Sequence, residues 1–333
     1  MIRRAFLSVS AAAAIFPRAL IAEPKKPPTI YMITWRGYTD VEKGFQTYLK
    51  DKNLAINFII RDAEQDPLRL KKFADEIHRV KPDLIYTWGT SATLGIVGTW
   101  DRPANDMNAY PLVFSLVASA VGAKILPPTS NHGINVTGVS HMAPIETQIA
   151  AMRSYRPFKR VGILYNRLEQ NSVAGVEELR QLARMQGFSL IERVFNIDAS
   201  GRPASEGIAE LIAEIHSAGA DWLYIGPDSF LFTRLQDVAD AANSLKIPTF
   251  ATTEAVMNSS AGILAGLVSK YYSVGQFAGL KAEQIIFRGT AASTIPVETL
   301  SRFSFLVRME TAIKIKCVPP ISLFNVAEFV DSI

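Results

Sequence analysis

PLVFSLVASAVGA (residues 111–123), GINVTGVS (133–140) and KRVGILYNRLEQNS (159–172) follow one another along the chain. Each holds a short apolar run that empties into small polar residues: Ser119, Ser140, then Asn166 to Ser172. Runs of this length without clean alternation read as strands buried on both faces, as in parallel sheets covered by helices. In open α/β sheets ligands gather at the carboxyl ends of the strands, where the next helix offers unpaired backbone N–H groups. The stretch also reads as a passage from one α/β lobe into a second. Two such lobes face each other across a cleft.

The same grammar extends outward in both directions. Upstream, strands are expected at Thr29–Thr34, Ala55–Ile60 and Leu84–Trp88, with helices between them carrying Val41, Phe45 and Leu49, then Leu70, Phe73 and Ile77 at helical spacing. Pro82 ends the second helix. Downstream, helix Ile145–Tyr155 leads to strand Val161–Tyr165. Helix Ala204–Ser217, strand Trp222–Ile225, helix Phe230–Leu245 and strand Pro248–Ala251 follow. The closing part is read as Ile263–Leu267, helix Val274–Arg288, strand Arg302–Val307 and helix Ile321–Val330. Strands alternating with helices give an α/β fold of two doubly wound parallel-sheet lobes joined by crossing strands. The 333 residues are enough for two cores, and 48% hydrophobic residues exclude a disordered chain.

Residues 1–22 have the layout of a cleaved signal peptide: Arg3 and Arg4, an alanine-rich apolar segment to Phe16, and Ala22 as a small residue for cleavage. Arg3-Arg4-Ala5-Phe6-Leu7 resembles a twin-arginine export signature, with Ile2 where Ser or Thr is usual. Three of the 35 basic residues and none of the 31 acidic ones lie in this leader. The mature chain is then almost neutral, which removes charge as an argument for nucleic-acid binding. No later run is long and apolar enough for a membrane span. With Cys317 alone and four scattered His, no zinc-site spacing is present, and no metal or cofactor is expected.

Chemistry-bearing motifs are few. Gly89-Thr90-Ser91 follows a strand and opens a helix, either an anion site built from N–H groups or a plain capped turn. Asn166, Glu169, Asn171 and Ser172 occupy the corresponding loop of the second lobe, and Glu169 there reads as solvated. Asp228 either accepts a ligand ammonium or caps the helix that begins near Ser229. Trp35, Tyr38, Tyr271 and Tyr272 stand in loops where aromatics wall a pocket or simply pack. No G-x-G-x-x-G, Walker lysine motif, G-x-S-x-G elbow or H-E-x-x-H occurs, so nucleotide binding and the familiar hydrolytic constellations lack support.

In order, PLVFSLV, GINVTGVS, RVGILYNRLEQNS, KIPTFATTEAV, YYSVGQFAGLKAEQIIFRGTAASTIPVET and TAIKIKCVPPISLFNVAEFVD resemble ABC-transporter substrate-binding proteins of the tryptophan/tyrosine-binding type. These are a branch of the type I periplasmic binding proteins. The resemblance implies that architecture, with residues 29–141 plus 256–291 in the first lobe and 142–255 plus 292–333 in the second. It implies an exported, periplasmic, non-enzymatic receptor that closes on a small polar ligand, such as an amino acid or related carboxylate, and delivers it to an ABC permease. By position the pocket draws on Trp35, Thr90, Ser115, Asn166, Asn171, Ser172, Asp228, Glu254 and Tyr271. Where the family usually shows Asp-Pro after its fourth strand, this chain has Ser119-Ala120; its R-P-G-G-N turn is replaced by Ser130 to Asn135. Loss of that carboxylate removes one partner for a ligand ammonium. A ligand-sensing subunit of a membrane receptor or kinase, and a two-lobed α/β enzyme, are the alternative functions.

Overall fold

The computed structural model describes residues 26–104, 106–129 and 133–330. The signal-peptide reading at 1–22 and the turn residues Ser130 to His132 lie outside them. The first lobe builds from β1 (Thr29–Thr34), α1 (Asp40–Asp51), β2 (Asn57–Asp62), α2 (Pro67–Val80), β3 (Leu84–Trp88) and α3 (Gly89–Val97). A small ribbon of β4 (Gly98–Thr99) and β5 (Arg102–Pro103) precedes β6 (Leu112–Val117) and β7 (Val136–Ser140). The second lobe takes α4 (Ile145–Tyr155), β8 (Arg160–Tyr165), α5 (Gln170–Gln186), β9 (Ser189–Val194), α6 (Ile208–Ser217) and β10 (Trp222–Ile225). It continues with α7 (Ser229–Thr233), α8 (Leu235–Ser244), β11 (Thr249–Ala251), α9 (Glu254–Met257) and β12 (Ala265–Val268). Then come α10 (Tyr271–Ile286), β13 (Glu298–Thr299), β14 (Ser304–Arg308), α11 (Met309–Lys314) and β15 (Ala327–Val330).

Among the described residues the strands form two main sheets, β13-β7-β6-β3-β1-β2 and β15-β14-β12-β11-β10-β8-β9. The first is parallel throughout, and the second is parallel except where β14 runs against β12. β1 is buried from Ile30 to Thr34 because helices cover both of its faces, which is why its sequence does not alternate. α1 starts where expected: the Thr39 side chain caps it and Glu42 reaches back, while Val41, Phe45 and Leu49 bury one face. Its outer side lies against α10 through glycines. A Cβ on Gly275 would run into the Val41 carbonyl, and one on Gly44 into the Tyr272 carbonyl.

The late segments divide differently from the expected boundaries. Ala265–Val268 (β12) pairs with β11 in the second sheet, so the block 256–291 does not belong to the first lobe as a unit. Only α10 returns to the first lobe, followed by β13, which pairs with β7. Strand pairing and helix packing thus separate two halves of one segment, since β11 offers a parallel edge to β12 while α10 needs the glycine seat on α1. The chain crosses between lobes around 141–144, 269–270 and 300–303, and Thr299 Oγ1 donates to the Met142 carbonyl at 3.0 Å to tie two crossings together. The expected closing helix Ile321–Val330 is instead a 3₁₀ turn, Ile321–Asn325, and the strand β15. The free edge of β14 supplies backbone partners, and Val326, Phe329 and Val330 suit a strand. The expected helix Phe230–Leu245 is broken at Arg234 into α7 and α8. Helix Ala204–Ser217 shortens to begin at Ile208, after Gly207 at φ +85°.

Candidate functional site

Carboxyl ends of strands from both sheets meet in one interlobe cleft of about 60 Å³. From the first lobe it is lined by Trp35, Arg36, Trp88, Thr90, Leu116 and His141. Glu169, Asn171, Pro227, Asp228, Phe232 and Thr253 come from the second, and Tyr271 from the start of α10. A larger chamber of about 300 Å³ adjoins it beside the crossings, sharing Ala118 and Pro227 as walls. Met142, Ala143, Ile145 and Val297 give that chamber apolar surface, and Glu178 a carboxyl that accepts from Ser119.

α3 begins directly at the cleft. Gly89, at φ +81°, turns the chain from β3 into the helix, a backbone region open to glycine without a Cβ clash. Trp88 stands at the N-cap position and makes no side-chain capping bond, so the first-turn N–H groups lack the usual side-chain acceptor. Those donors and the helix dipole favour an anion. Next to it Leu116 sits at φ +55°, within a break in register between Ser115 and Val117 on β6. A bulky side chain in that region costs of order 1–3 kcal/mol, and such outliers concentrate at binding sites. The bulge places Leu116 on the cleft wall.

Arg36 is the cation of the site. Its guanidinium lies 5.0 Å from the Trp88 ring centroid and 4.1 Å from that of Phe232, so it spans the cleft between an aromatic of each lobe. Among the described residues it has no salt bridge. Burial pushes its pKa below the ordinary guanidinium value, while Tyr271 and Glu169 pull the other way. The Trp88 ring is fixed from behind: its Nε1 donates to Thr39 Oγ1 at 3.2 Å, and Thr39 donates to Glu42. Tyr86 donates to the other Glu42 oxygen at 2.6 Å and pairs with Ser115. Burial raises the Glu42 carboxyl pKa, and the Tyr86 and Thr39 donors lower it.

His141 begins the first crossing and is 4% exposed. Its Nδ1 is buried without a hydrogen-bond partner. Burial first, then the positive field of Arg36, push the imidazole down to about 4, against a backbone interaction with Val117. The ring stands edge-on to Tyr271, with centroids 6.3 Å apart.

Across the cleft, the two carboxylates are already engaged. Asp228 accepts from Leu231 N at 2.8 Å, from Asn166 N at 2.6 Å and from the Ser172 hydroxyl. It caps α7 and staples the β8 loop to the β10 loop. Glu169 accepts from Ser229 N and Oγ, both at 2.8 Å, and from Asn171. Burial raises both carboxyls, and the Asp228 charge adds to the rise at Glu169.

Of the nine residues expected by position, Trp35, Thr90, Asn171, Asp228 and Tyr271 line the cleft. Asn166 and Ser172 lie behind it, holding Asp228. Ser115 is not on the cleft wall; it is fully buried under the first sheet and bonded to Tyr86, because the bulge presents Leu116 instead. Glu254 is also displaced: it accepts from Tyr271 N at 2.5 Å and caps α10 at the second crossing. Glu169, expected to be solvated, is a cleft residue held by Ser229. The sequence does not single out Arg36, Trp88 or Phe232, and it reads His141 as a lone histidine near a turn, on the surface or locally satisfied, whereas the structure buries it with Nδ1 unpaired. Arg36 lies in the loop that Trp35 begins, and His141 directly follows the strand Val136–Ser140, so proximity to strand ends is the available signal.

Two α/β lobes, three crossings and a polar cleft closed between strand ends define a receptor for a small solute. The chain belongs to the family of ABC transporter substrate binding proteins, whose model matches residues 30–328. This is a family of binding proteins rather than enzymes. A tyrosine-binding protein of Clostridioides difficile (strain R20291) is 27% identical over 277 residues, covering 81% of this chain and 74% of its own. A conserved domain protein from Vibrio cholerae shares the fold at TM-score 0.77 and 21% identity, covering 91% of this chain and 99% of its own. So does a Streptococcus pneumonia ABC domain in complex with L-Trp, at TM-score 0.76 and 20% identity, covering 92% and 100%. Among the described residues no helix is long and apolar enough to cross a membrane, and no group of three His, Cys, Asp or Glu is placed to hold a metal.

Proposed function

We propose that this solute receptor is exported to the periplasm, catalyses nothing, and captures an organic carboxylate with an aromatic body for delivery to an ABC permease. The observation that carries this reading is Arg36, an unpaired cation flanked by two aromatic rings beside an uncapped helix N-terminus. The carboxylate is held by Arg36 and by the Thr90 and Ser91 N–H groups. An aromatic ring fits the adjoining chamber, since its roughly 300 Å³ exceeds the ~150 Å³ cavity that accepts benzene in another protein. The Leu116, Trp88 and Phe232 walls exclude water from the head group.

Closure follows from the crossings. One lobe takes the ligand, the other rotates about residues 141–144, 269–270 and 300–303, and Phe232 comes down on Arg36. Gln170 Nε2 donating to the Gly122 carbonyl at 3.2 Å and Ser119 donating to Glu178 are further links made only when the lobes meet. The L-Trp complex and the tyrosine-binding relative support an aromatic body, and Arg36 supports the acid. Titration calorimetry with 3-phenylpropionate, 3-phenyllactate and L-phenylalanine, beside their uncharged amides, tests the reading. Binding of acids but not amides is expected; amides binding as well as acids, or no acid binding at all, overturns it.

A further inference from the structure

We infer that His141 selects a ligand whose carbon next to the carboxylate bears an uncharged hydrogen-bond donor, a hydroxyl, rather than an ammonium: a 2-hydroxy acid, not an amino acid. This rests on the carboxylate reading above and goes beyond it to the substrate class. Three observations converge. The imidazole lines the head-group cleft and is almost completely buried, yet its Nδ1 has no partner. A buried polar atom left unpaired is destabilising, and a ligand donor removes that cost. His141 and Arg36 line the same cleft of about 60 Å³, and the positive field of Arg36 reaches the imidazole, so a ligand whose acid sits at Arg36 has its neighbouring carbon on the His141 side.

The charges then decide between hydroxyl and ammonium. Groups facing His141 are Arg36 from the β1 loop, the Tyr271 ring from α10 and the β6 backbone at Val117. None is a carboxylate. An ammonium placed there is desolvated against a neutral imidazole and within the positive field of Arg36, and no carboxylate faces His141 to offset the loss of water. The carboxylates of the cleft belong to the other lobe, and both Glu169 and Asp228 already accept backbone and hydroxyl donors. Ser119, on the far side of Ala118, supplies no charge either, and donates to Glu178. A hydroxyl needs only the bare ring nitrogen. It donates there and leaves its own lone pairs toward the Arg36 side, where donors are plentiful.

A matched trio tests this with the wild-type protein: 3-phenyllactate, 3-phenylpropionate and L-phenylalanine share acid and ring and differ only in hydroxyl, hydrogen or ammonium. Calorimetry is expected to rank 3-phenyllactate first, roughly tenfold or more above 3-phenylpropionate, with L-phenylalanine weakest. His141→Leu should erase the difference between the first two acids, and His141→Asp should move L-phenylalanine upward, each checked for folding by thermal melting. The wild-type ranking stands without either variant. L-phenylalanine equal to or tighter than 3-phenyllactate overturns the inference while leaving the carboxylate receptor intact. Failure of all three acids to bind overturns both readings, and tight binding of the amides overturns the carboxylate reading specifically.

Discussion

Replacing Arg36 by Met separates binding from folding. In the proposed complex the guanidinium faces a desolvated carboxylate, and truncating one partner of such a pair costs about 2–5 kcal/mol, a loss of tens- to thousands-fold in affinity. Stability follows a different balance. Arg36 has two ring contacts, at 5.0 and 4.1 Å, each worth about 0.5–2 kcal/mol. Against these stands the cost of keeping an unpaired cation out of water, visible in the depression of its pKa by burial. Methionine keeps the aliphatic stem and makes its own sulfur–aromatic contacts, so unfolding free energy should change by no more than about 1 kcal/mol. The assay is paired calorimetry and chemical denaturation of wild type and Arg36→Met, using 3-phenylpropionate and 3-phenylpropionamide. Carboxylate affinity should collapse while the amide is barely affected. Equal losses for acid and amide, or unchanged acid affinity in a folded variant, would refute the placement of the carboxylate at Arg36.

Asp228→Ala should behave in the opposite way: three donors lose their acceptor, so denaturation should show about 2–4 kcal/mol of lost stability, with a smaller effect on ligand affinity than at Arg36. A stable variant with abolished binding would return Asp228 to the ligand. His141 gives an acid-sensitive contribution. Its folded pKa of about 4 lies below the usual 6.5, so the unfolded chain takes up a proton that the native site refuses. That stability is present above pH 6.5 and is lost as pH falls through 4, about 3 kcal/mol in all. The raised carboxyls Glu42, Glu169 and Asp228 act in the reverse sense, being relieved by acid, so the comparison is between wild type and His141→Leu at pH 7 and pH 4.5. The wild type should lose more on acidification, and parallel losses would contradict the assignment. Gly275→Ala forces a Cβ into the Val41 carbonyl and should cost 1–3 kcal/mol or more in thermal melting, because backbone on both helices must shift.

Legibility in the sequence followed the physics of each feature. The strand ends at Gly89-Thr90 and at Asn166 to Ser172 were readable because buried parallel strands are apolar throughout and stop abruptly at small polar residues. The lobe assignment of β12 was not, since Ala265–Val268 is equally apolar in either sheet and only pairing with β11 decides it. β15 was hidden for a related reason: ten residues with Phe324 and Phe329 at mixed spacing suit a short helix until the free edge of β14 is present. In the site, a one-residue irregularity on β6 moved the wall from Ser115 to Leu116, and no local pattern announces such a bulge. Arg36 and Glu169 look like ordinary solvated loop residues in one dimension. They become cleft residues only because the two lobes meet around them.

The most direct measurement is an electron-density map of the protein crystallised with the solute it carries from its own host. The account expects an organic acid in the interlobe cleft, its carboxylate oxygens about 2.7–3.2 Å from the Arg36 guanidinium and from the Thr90 or Ser91 N–H, with its body toward the chamber beyond Ala118. A ligand bound outside this cleft, or one that turns an ammonium or an apolar face toward Arg36, would contradict it.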